Sequence, residues 1–225
     1  GIGLETAKKF NQNNWRVIIS SRNSETLQQA KEFIQSKSDN KEIHSIACDI
    51  SNSDEVHQVI EKIEKSIAPI DLALLNAAAY SPNKSQEFDI KNYELLIDVN
   101  LKGTLYCIEH LLKCMKNRNN HIAVVASPVG YRGMPTAGAY GMTKAAQINL
   151  TESLFFDFKK YNIKISVINP GFIDTESTKK NSFKMPFLKS SNYAADKIYN
   201  GLTKKYTFEI YFPFILLTVL KILRI

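Results

Sequence analysis

The stretch Ile122-Ala-Val-Val-Ala-Ser127 is an apolar run that ends in a hydroxyl side chain, and Tyr140-Gly-Met-Thr-Lys144 follows it after a short loop. Such a run predicts a buried strand of a parallel sheet, and the ligands of these sheets bind at the carboxyl ends of the strands. If Tyr140 begins a helical turn, Lys144 lies one turn later on the same face. Its ammonium would then favour the phenolate and lower the tyrosine pKa from its ordinary value near 10. The stretch therefore predicts that Tyr140 acts as an acid and base beside Ser127.

The composition of the 225 residues is that of a globular protein, with 44% hydrophobic and 23% charged residues, so we expect one domain over residues 1–225. The formal net charge is +7, but the lysines are scattered and form no basic run interleaved with aromatic residues. This distribution argues against a nucleic-acid partner. Cys48, Cys107 and Cys114 form no C-x-x-C pair, which indicates buried thiols in a reducing, cytoplasmic compartment. The four histidines lack ligand spacing, so we expect no metal site.

Strand and helix signals alternate along the chain. Compact β-rich runs predict strands at Trp15–Ser20, Ile43–Cys48, Ile70–Leu75, Ile163–Asn169 and Phe208–Phe212. Helical periodicity and capping residues predict helices over about 24–36, 53–67, 93–116, 140–160 and 192–203. This alternation is typical of an α/β fold, and we expect a doubly wound, mainly parallel, Rossmann-like sheet with helices on both faces.

The chain has, in this order, Asn100, Ser127, Tyr140 and Lys144. The order and spacing of these four residues resemble those of the catalytic residues of the short-chain dehydrogenases/reductases. The resemblance covers nearly the whole chain, to about Pro213. It implies an NAD(P)-dependent enzyme, acting on CH-OH donors, that interconverts an alcohol and a carbonyl by hydride transfer. Ser127 would orient the substrate oxygen and Tyr140 would transfer the proton. Lys144 would lower the tyrosine pKa and bind the nicotinamide ribose, while Asn100 would support a water relay.

The resemblance also implies where the cofactor binds. Gly1-Ile-Gly3 matches the last two glycines of the family's T-G-x-x-x-G-x-G turn, whose main-chain N–H groups approach a pyrophosphate. Asn76-Ala-Ala-Ala79 stands where the family usually has N-N-A-G, and a Pro-Gly turn follows the strand that ends at Asn169. The implied cofactor contacts are Gly1, Ile2, Gly3, Ser21, Arg22, Asp49, Ile50, Asn76, Ala77, Ala78, Asn100, Tyr140, Lys144, Pro170, Gly171, Ile173 and Thr175. Among them, Asp49 resembles the family's aspartate that contacts the adenine ring.

Ser21 and Arg22 follow the predicted strand Trp15–Ser20, where this fold meets the adenosine ribose of the cofactor. An acidic side chain at this position favours NAD, whereas a basic one favours the 2′-phosphate of NADP. Since the chain has Arg22 and no acid here, we expect NADP rather than NAD. The alternative is a solvated arginine in a loop.

The chain begins at Gly1 with no strand before its glycine turn, so the predicted fold lacks its N-terminal strand. In this fold that strand lies between the strands Trp15–Ser20 and Ile70–Leu75. A strand of about 5–6 residues and the rest of the turn imply on the order of ten further residues upstream in the natural protein. Because half of the phosphate-binding turn is absent, the alternative to an active enzyme is an inactive remnant or a binding protein that keeps the fold but cannot hold a cofactor.

Two segments near the C-terminus bear on substrates and partners. The polar stretch from about Glu176 to Ser191 is expected to cover the substrate. The apolar stretch Ile210–Ile225 is too short to span a membrane. We expect a helix from about Phe214 that is covered by a partner subunit of a homo-oligomer. The alternative is a membrane-surface-associated reductase acting on a lipid-like substrate, with Lys221 and Arg224 near the headgroups.

Overall fold

The structure is a computed structural model that describes residues 1–81 and 88–222. Its strands are β1 (Val17–Ser21), β2 (Ile43–Ala47), β3 (Leu72–Leu75), β4 (Asn120–Val125), β5 (Ile163–Pro170) and β6 (Glu209–Phe212). Its helices are α1 (Ile2–Gln12), α2 (Ser24–Ser36), α3 (Ser53–Ser66), α4 (Ile90–Leu96), α5 (Gly103–Met115), α6 (Gly138–Asp157), α7 (Ser191–Thr203) and α8 (Phe214–Ile222). Apart from the helix around Asn100, the bounds differ from the expected ones by a few residues.

The central sheet has the order β3-β4-β5-β6 and is parallel throughout. Val125 pairs with Ile168, so the carboxyl ends of β4 and β5 lie at the same edge. Alternate side chains of β4 enter different hydrophobic clusters. Ala123 and Val125 pack with residues of α1 and α7, while Ile122 and Val124 pack with residues of α5. Helices therefore cover both faces of a parallel sheet, which confirms the predicted α/β, Rossmann-like fold.

A second parallel sheet consists of β1 and β2. Within residues 1–81 and 88–222, β1 pairs with β2 alone and β3 pairs with β4 alone, so each has one edge without a partner strand. Val17 of β1 nevertheless packs in the same hydrophobic cluster as Leu72 and Leu74 of β3. The strand expected upstream of Gly1 would lie between these two strands. The upstream residues themselves stay a prediction.

The helix expected over 93–116 is three consecutive segments. α4 is followed by a π-helical stretch, Ile97–Lys102, and then by α5. The first segment begins earlier than expected because Asp89 caps α4, accepting a hydrogen bond from the main-chain N–H of Lys91 at 3.1 Å. The π-helical stretch contains Asn100, whose side chain bonds to a loop outside the helix. π-Helical turns of this kind frequently lie at functional sites.

Residues 174–189, here called the covering segment, lead from β5 towards α7. Two main-chain hydrogen bonds close its base: Asp174 N–H donates to Lys189 O at 2.8 Å, and Lys189 N–H donates to Phe172 O at 3.0 Å. A 3₁₀ turn, Thr178–Lys180, lies inside the segment. Phe187 has a φ of 56°, in the left-handed region that aromatic residues rarely adopt. The segment is thus a loop with joined ends and one strained residue.

The C-terminal helix α8 packs against its own chain. Leu217 is fully buried in a cluster that includes Tyr131. Lys221 forms an ion pair with Glu209, and its Nζ lies 4.0 Å from the centre of the Tyr211 ring. We expected a partner subunit or a membrane interface to cover this helix. The structure adds that residues of the same chain already cover one of its faces. No helix in the described part of the chain is long and apolar enough to cross a membrane.

Candidate active site

The carboxyl ends of the parallel strands surround a cavity of about 570 Å³, a size within the range of small-molecule and cofactor sites. Residues that directly follow β1, β3, β4 and β5 line it, as expected for a sheet of this kind. The predicted site residues that line the cavity are Gly1, Ile2, Gly3, Ser21, Arg22, Ile50, Asn76, Ala77, Ala78, Ser127, Tyr140, Lys144, Pro170, Gly171, Ile173 and Thr175. Two further predicted residues, Asp49 and Asn100, lie outside this lining.

Ser127 is held between the end of β4 and the helix α6. It caps a 3₁₀ turn, Pro128–Gly130, and its hydroxyl accepts a hydrogen bond from the main-chain N–H of Val129 at 3.4 Å. Gly130 packs directly on α6: a Cβ there would lie 2.8 Å from the main-chain nitrogen of Ala145. Only a glycine allows this close approach. The turn after Ser127 therefore holds the serine against the helix that carries Tyr140. The side chains of Ser127 and Tyr140 form a hydrogen bond.

Tyr140 and Lys144 lie on the first two turns of α6. Lys144 is 1% exposed, and its Nζ donates to Val125 O and to Gln147 Oε1, both at 2.8 Å. The same Nζ lies 5.5 Å from the centre of the Tyr140 ring. Burial lowers the pKa of Lys144 to about 7. The spacing read from the sequence thus brings the two side chains together, with the lysine close to its titration point at neutral pH.

The pKa of Tyr140 is raised, in the direction opposite to the expected one. Burial of the phenol is the main cause, the nearby Tyr80 adds to it, and the hydrogen bond with Ser127 opposes it. The expectation fails because the Lys144 Nζ is directed at Val125 O and Gln147 Oε1 and is itself readily neutralised by its burial. In this structure the phenol is therefore protonated at neutral pH, the form of a proton donor.

Asn100 is fully buried and clamps the loop after β3. Its Oδ1 accepts from the main-chain N–H of Ala79 at 2.7 Å, and its Nδ2 donates to Ala79 O at 3.0 Å. Nδ2 also donates to Thr143 Oγ1 on α6 at 3.2 Å. Asn100 thus ties the cavity-lining loop to the helix of Tyr140, while the water relay expected of it stays a prediction.

The N-terminus of α1 forms another wall of the cavity through Gly1, Ile2 and Gly3. A Cβ on Gly3 would lie 2.7 Å from Asn76 Nδ2, so this glycine is needed for the contact with the loop after β3. Main-chain N–H groups at the positive end of a helix suit a phosphate. These residues therefore fit a dinucleotide cofactor, although the first half of the family's glycine turn is not in the chain.

Asp49, expected at the adenine ring, is turned into its own loop. Its Oδ1 accepts from the Ser51 main-chain N–H at 2.9 Å and from Ser51 Oγ at 2.7 Å. The bonds from Ser51, together with the charge of Arg22, lower the pKa of Asp49. Arg22 itself is exposed at the rim of the cavity. The carboxylate is thus already bonded within its loop, and its contact with adenine stays a prediction.

Several residues that line the cavity were not predicted from the sequence as site residues. They include Cys48, Tyr80, Phe172, Asn181 and Phe183. The Tyr80 ring lies edge-on to Tyr140, with 4.8 Å between ring centres, and its hydroxyl donates to Asn181 Oδ1 at 2.5 Å. The Phe172 ring contacts Phe183 at 5.8 Å between centres. The available signal for Tyr80 is its place directly after the small residues that follow a buried strand. No local pattern marks Asn181, because its partner is 101 residues away.

Comparisons with known proteins agree with this arrangement. A family model described as short chain dehydrogenase matches residues 1–209. An uncharacterized oxidoreductase of Staphylococcus saprophyticus is 30% identical over 178 residues, which cover 78% of this chain and 75% of that protein. An uncharacterized oxidoreductase of Staphylococcus epidermidis is 26% identical over 205 residues, which cover 91% of this chain and 87% of that protein.

A solved structure supports the same fold. It is described as a short chain dehydrogenase/reductase family protein and superimposes with a TM-score of 0.81 at 21% sequence identity, covering 94% of this chain and 90% of that one. At this identity the likeness concerns the fold alone. With the parallel sheet, the cavity at its carboxyl edge and the family match over residues 1–209, the chain belongs to the short-chain dehydrogenase family of oxidoreductases.

Proposed function

We propose that the protein is an NADP(H)-dependent oxidoreductase that interconverts an alcohol and a carbonyl by hydride transfer. The observation that carries this proposal is a single cavity lined by two chemically different sets of residues. The first set is Ser127, Tyr140 and Lys144, and the second is Gly1, Gly3 and Arg22. The first set suits proton transfer to an oxygen, and the second suits the phosphates of a dinucleotide.

Tyr140 is the proposed proton donor in the direction of carbonyl reduction. Its phenol is protonated in this structure, because burial raises its pKa. Ser127 would donate a hydrogen bond to the same substrate oxygen and hold it within reach of the phenol. The charged form of Lys144 would stabilise the phenolate left after the transfer, since its Nζ lies 5.5 Å from the ring centre. In alcohol oxidation the same groups receive the proton.

When bound, the nicotinamide cofactor supplies or accepts the hydride. Gly1, Gly3 and Thr175 are proposed to hold it, and Thr175 lies against the glycine turn: a Cβ on Gly1 would be 3.8 Å from Thr175 Cγ2. Arg22 is proposed to bind the 2′-phosphate of NADP, because it is the basic residue that follows β1 and it lines the cavity. A guanidinium pairs well with a phosphate.

The substrate is proposed to be apolar around its reacting group. The cavity lining includes Met134, Phe172, Ile173 and Phe183, which would pack against hydrocarbon. A single domain over residues 1–225, a cytoplasmic location and a homo-oligomer stay predictions from the sequence.

A binding protein of the same fold that does not catalyse a reaction is the second candidate. It is favoured by one observation, the raised rather than lowered pKa of Tyr140. A phenol held strongly in its neutral form is a poor base for alcohol oxidation. The two candidates differ in turnover and agree in cofactor binding.

The test is a calorimetric titration of the full-length protein with NADPH and NADH, followed by a panel of apolar ketones and aldehydes with NADPH absorbance as the readout. We expect tighter binding of NADPH and oxidation of NADPH with at least one substrate. Ser127→Ala and Tyr140→Phe should bind NADPH and turn over slowly, while Tyr161→Phe, beyond the end of α6, is the matched control. Binding without turnover across the panel would favour the second candidate. Absence of binding to either cofactor would reject both and favour an inactive remnant that cannot hold a cofactor.

A further inference from the structure

Gln147 is a buried polar side chain that the proposed reaction does not use. It lies on α6, three residues after Lys144, and is 1% exposed. Its Nε2 donates to the main-chain oxygen of Asn100 at 2.7 Å and to Thr104 Oγ1 at 2.8 Å. Its Oε1 accepts from Lys144 Nζ at 2.8 Å. One amide thus joins the π-helical stretch to the lysine of the active site.

The orientation of this amide is fixed by its partners. The Asn100 carbonyl can only accept, so Nε2 must face it and Oε1 must face Lys144. Thr104 Oγ1 donates to the same carbonyl at 2.7 Å, which leaves a lone pair of this hydroxyl free to accept from Gln147. A flipped amide would place its oxygen against the Asn100 oxygen. Gln147 is therefore held as a hydrogen-bond acceptor for Lys144.

We propose that Gln147 is a positioning residue of the active site, which holds the Lys144 amino group beside Val125 O and favours its charged form. This inference rests on the proposed function. Lys144 Nζ has two fixed acceptors, Val125 O on β4 and Gln147 Oε1 on α6. An ammonium has three N–H donors, so the third stays available on the side of Tyr140 and the cavity.

The protonation of Lys144 is sensitive to such an acceptor. Burial lowers its pKa to about 7, so a change in either direction alters its charge at neutral pH. The titratable group in contact with it is the phenol of Tyr140, whose ring centre lies 5.5 Å from the Lys144 Nζ, and Tyr80 lies against that ring. The elements around Lys144 also carry His121 on β4, Asp98 and Lys102 on the π-helical stretch, and Glu152 and Asp157 on α6. In the described part of the chain, no carboxylate is hydrogen-bonded to Lys144 Nζ. The neutral amide of Gln147 is therefore its principal side-chain partner.

Two substitutions should move the titration of Lys144 in opposite directions. Gln147→Leu removes the acceptor, and the limb of the kcat/KM pH profile that reports this lysine should move to lower pH by about one to two units. Gln147→Glu places a carboxylate at the same point, and the limb should move to higher pH. The matched control is Thr151→Val, which removes a buried hydroxyl that donates to Gln147 O. It should leave the profile in place.

A second readout does not require turnover. The pKa of Lys144 is about 7 in the folded protein against an ordinary value of 10.5, so the unfolded chain binds more protons between these values and stability rises with pH. In urea unfolding, Gln147→Leu should extend this rise to lower pH, and Gln147→Glu should reduce it. The proposal is wrong if the two variants shift the pH dependence of activity and of stability in the same direction, or if they shift neither of them. An inactive enzyme with opposite urea shifts would reject the proposed function and retain the role of Gln147.

A different observation carries a second inference, which concerns the outer face of the covering segment. The covering segment has four lysines, Lys179, Lys180, Lys184 and Lys189, against two acidic residues, Asp174 and Glu176. Glu176 pairs with Lys179, so Lys184 and Lys189 contribute most to the excess of positive charge. Phe183, Phe187 and Leu188 are 49%, 55% and 43% exposed on the same segment. Exposed aromatic and aliphatic side chains among lysines are typical of surfaces that bind the interface of an anionic membrane.

Phe187 combines an exposed ring with a strained backbone. It follows Pro186 in a turn and has a φ of 56°, a position at which glycine or asparagine is the usual residue. A strained backbone with an exposed apolar ring gives the folded chain no packing benefit, which points to a benefit in binding. We infer that the covering segment docks on an anionic phospholipid bilayer. Phe183, which also lines the cavity, would lie at the entrance from that bilayer.

The test is flotation of the full-length protein with vesicles of phosphatidylcholine alone or with one third phosphatidylserine. We expect binding to the anionic vesicles, and a loss of about tenfold in Phe187→Asn, since a buried ring contributes strongly and asparagine tolerates a positive φ. Lys184→Gln should lose about fivefold on anionic vesicles. Phe156→Asn, which removes a ring that is 70% exposed on α6, is the matched control and should bind normally.

Two results would overturn the docking surface. The first is equal flotation of Phe187→Asn and the parent protein. The second is no flotation of the parent together with a change of oligomeric state in Phe187→Asn, which would assign the face to a second copy of the chain.

Discussion

Asn100→Ala should destabilise the protein and loosen the cavity at the same time. The substitution removes three hydrogen bonds: two to the main chain of Ala79, at 2.7 and 3.0 Å, and one to Thr143 Oγ1 at 3.2 Å. Thr143 keeps a bond to Tyr140 O at 2.8 Å, so its loss is small. The N–H and the carbonyl of Ala79 lose their side-chain partner, at about 1–3 kcal/mol for each group that stays unsatisfied.

Ala79 is half-buried, so water can reach it in part and the lower end of this range applies. We expect the free energy of unfolding to fall by about 2–4 kcal/mol, with a lower urea midpoint and an unchanged slope. Because Ala77, Ala78 and Tyr80 line the cavity, release of this loop should also weaken NADPH binding. The assay is urea unfolding by circular dichroism, combined with calorimetric titration of NADPH.

Asn100→Asp tests the hydrogen bonds of Asn100 to Ala79 without removing side-chain volume. Its carboxylate can still accept from Ala79 N–H but cannot donate to Ala79 O. Burial should raise the pKa of the new carboxyl, and its protonated form can donate again, so this variant should regain stability as the pH falls. An Asn100→Ala protein with an unfolding free energy within about 0.5 kcal/mol of the parent, the range of ordinary surface changes, would refute the clamp.

Three further predictions use other parts of the structure. Tyr140→Phe should leave folding and NADPH affinity nearly intact and lower turnover by about 10² or more; activity within a few-fold of the parent would remove Tyr140 from the proton transfer. Arg22→Ala should erode the preference for NADPH by roughly one to two orders of magnitude, and equal dissociation constants of NADPH and NADH in the parent would contradict the proposed role of this residue. Burial, with a contribution from Lys164, lowers the pKa of His121 from 6.5 to about 4, so the neutral form is favoured by folding. Stability should therefore be complete above pH 6.5 and fall by about 3 kcal/mol as the pH drops towards 4; a urea series should show this loss in the parent and a smaller one in His121→Asn.

Local patterns were sufficient for the fold and for the residues that share one helix or one strand end. The apolar run before Ser127 is β4, and the four-residue spacing of Tyr140 and Lys144 places both on α6. Such patterns follow from the periods of helices and strands, which act over a few residues. They also predicted that Ser127 lies at the cavity, because strand ends meet at one edge of a parallel sheet, whereas the cofactor contacts were implied by the resemblance to the family.

Partners far apart in the sequence were not predictable in this way. Tyr80 and Asn181 are 101 residues apart, and the bond between Gln147 and the Asn100 carbonyl spans 47 residues. The orientation of Lys144 depends on Gln147, so the direction of the Tyr140 pKa shift could not be read from their spacing. The same holds for α8: its apolar sequence indicated a covered helix, but only the pairing of Lys221 with Glu209 shows which surface covers one side.

Because main-chain hydrogen bonds join the two ends of the covering segment, the residues between them can be replaced as a unit. Lys189 bonds to both Asp174 and Phe172 through the main chain, so the two attachment points stay together whatever side chains lie between them. The entropy of closing a loop grows only slowly with its length, so longer or shorter inserts between these points would cost the sheet little. Grafting residues 175–188 onto a relative with the same base should therefore transfer the shape of the entrance, and with it substrate preference, while the proton-transferring residues of the recipient remain its own.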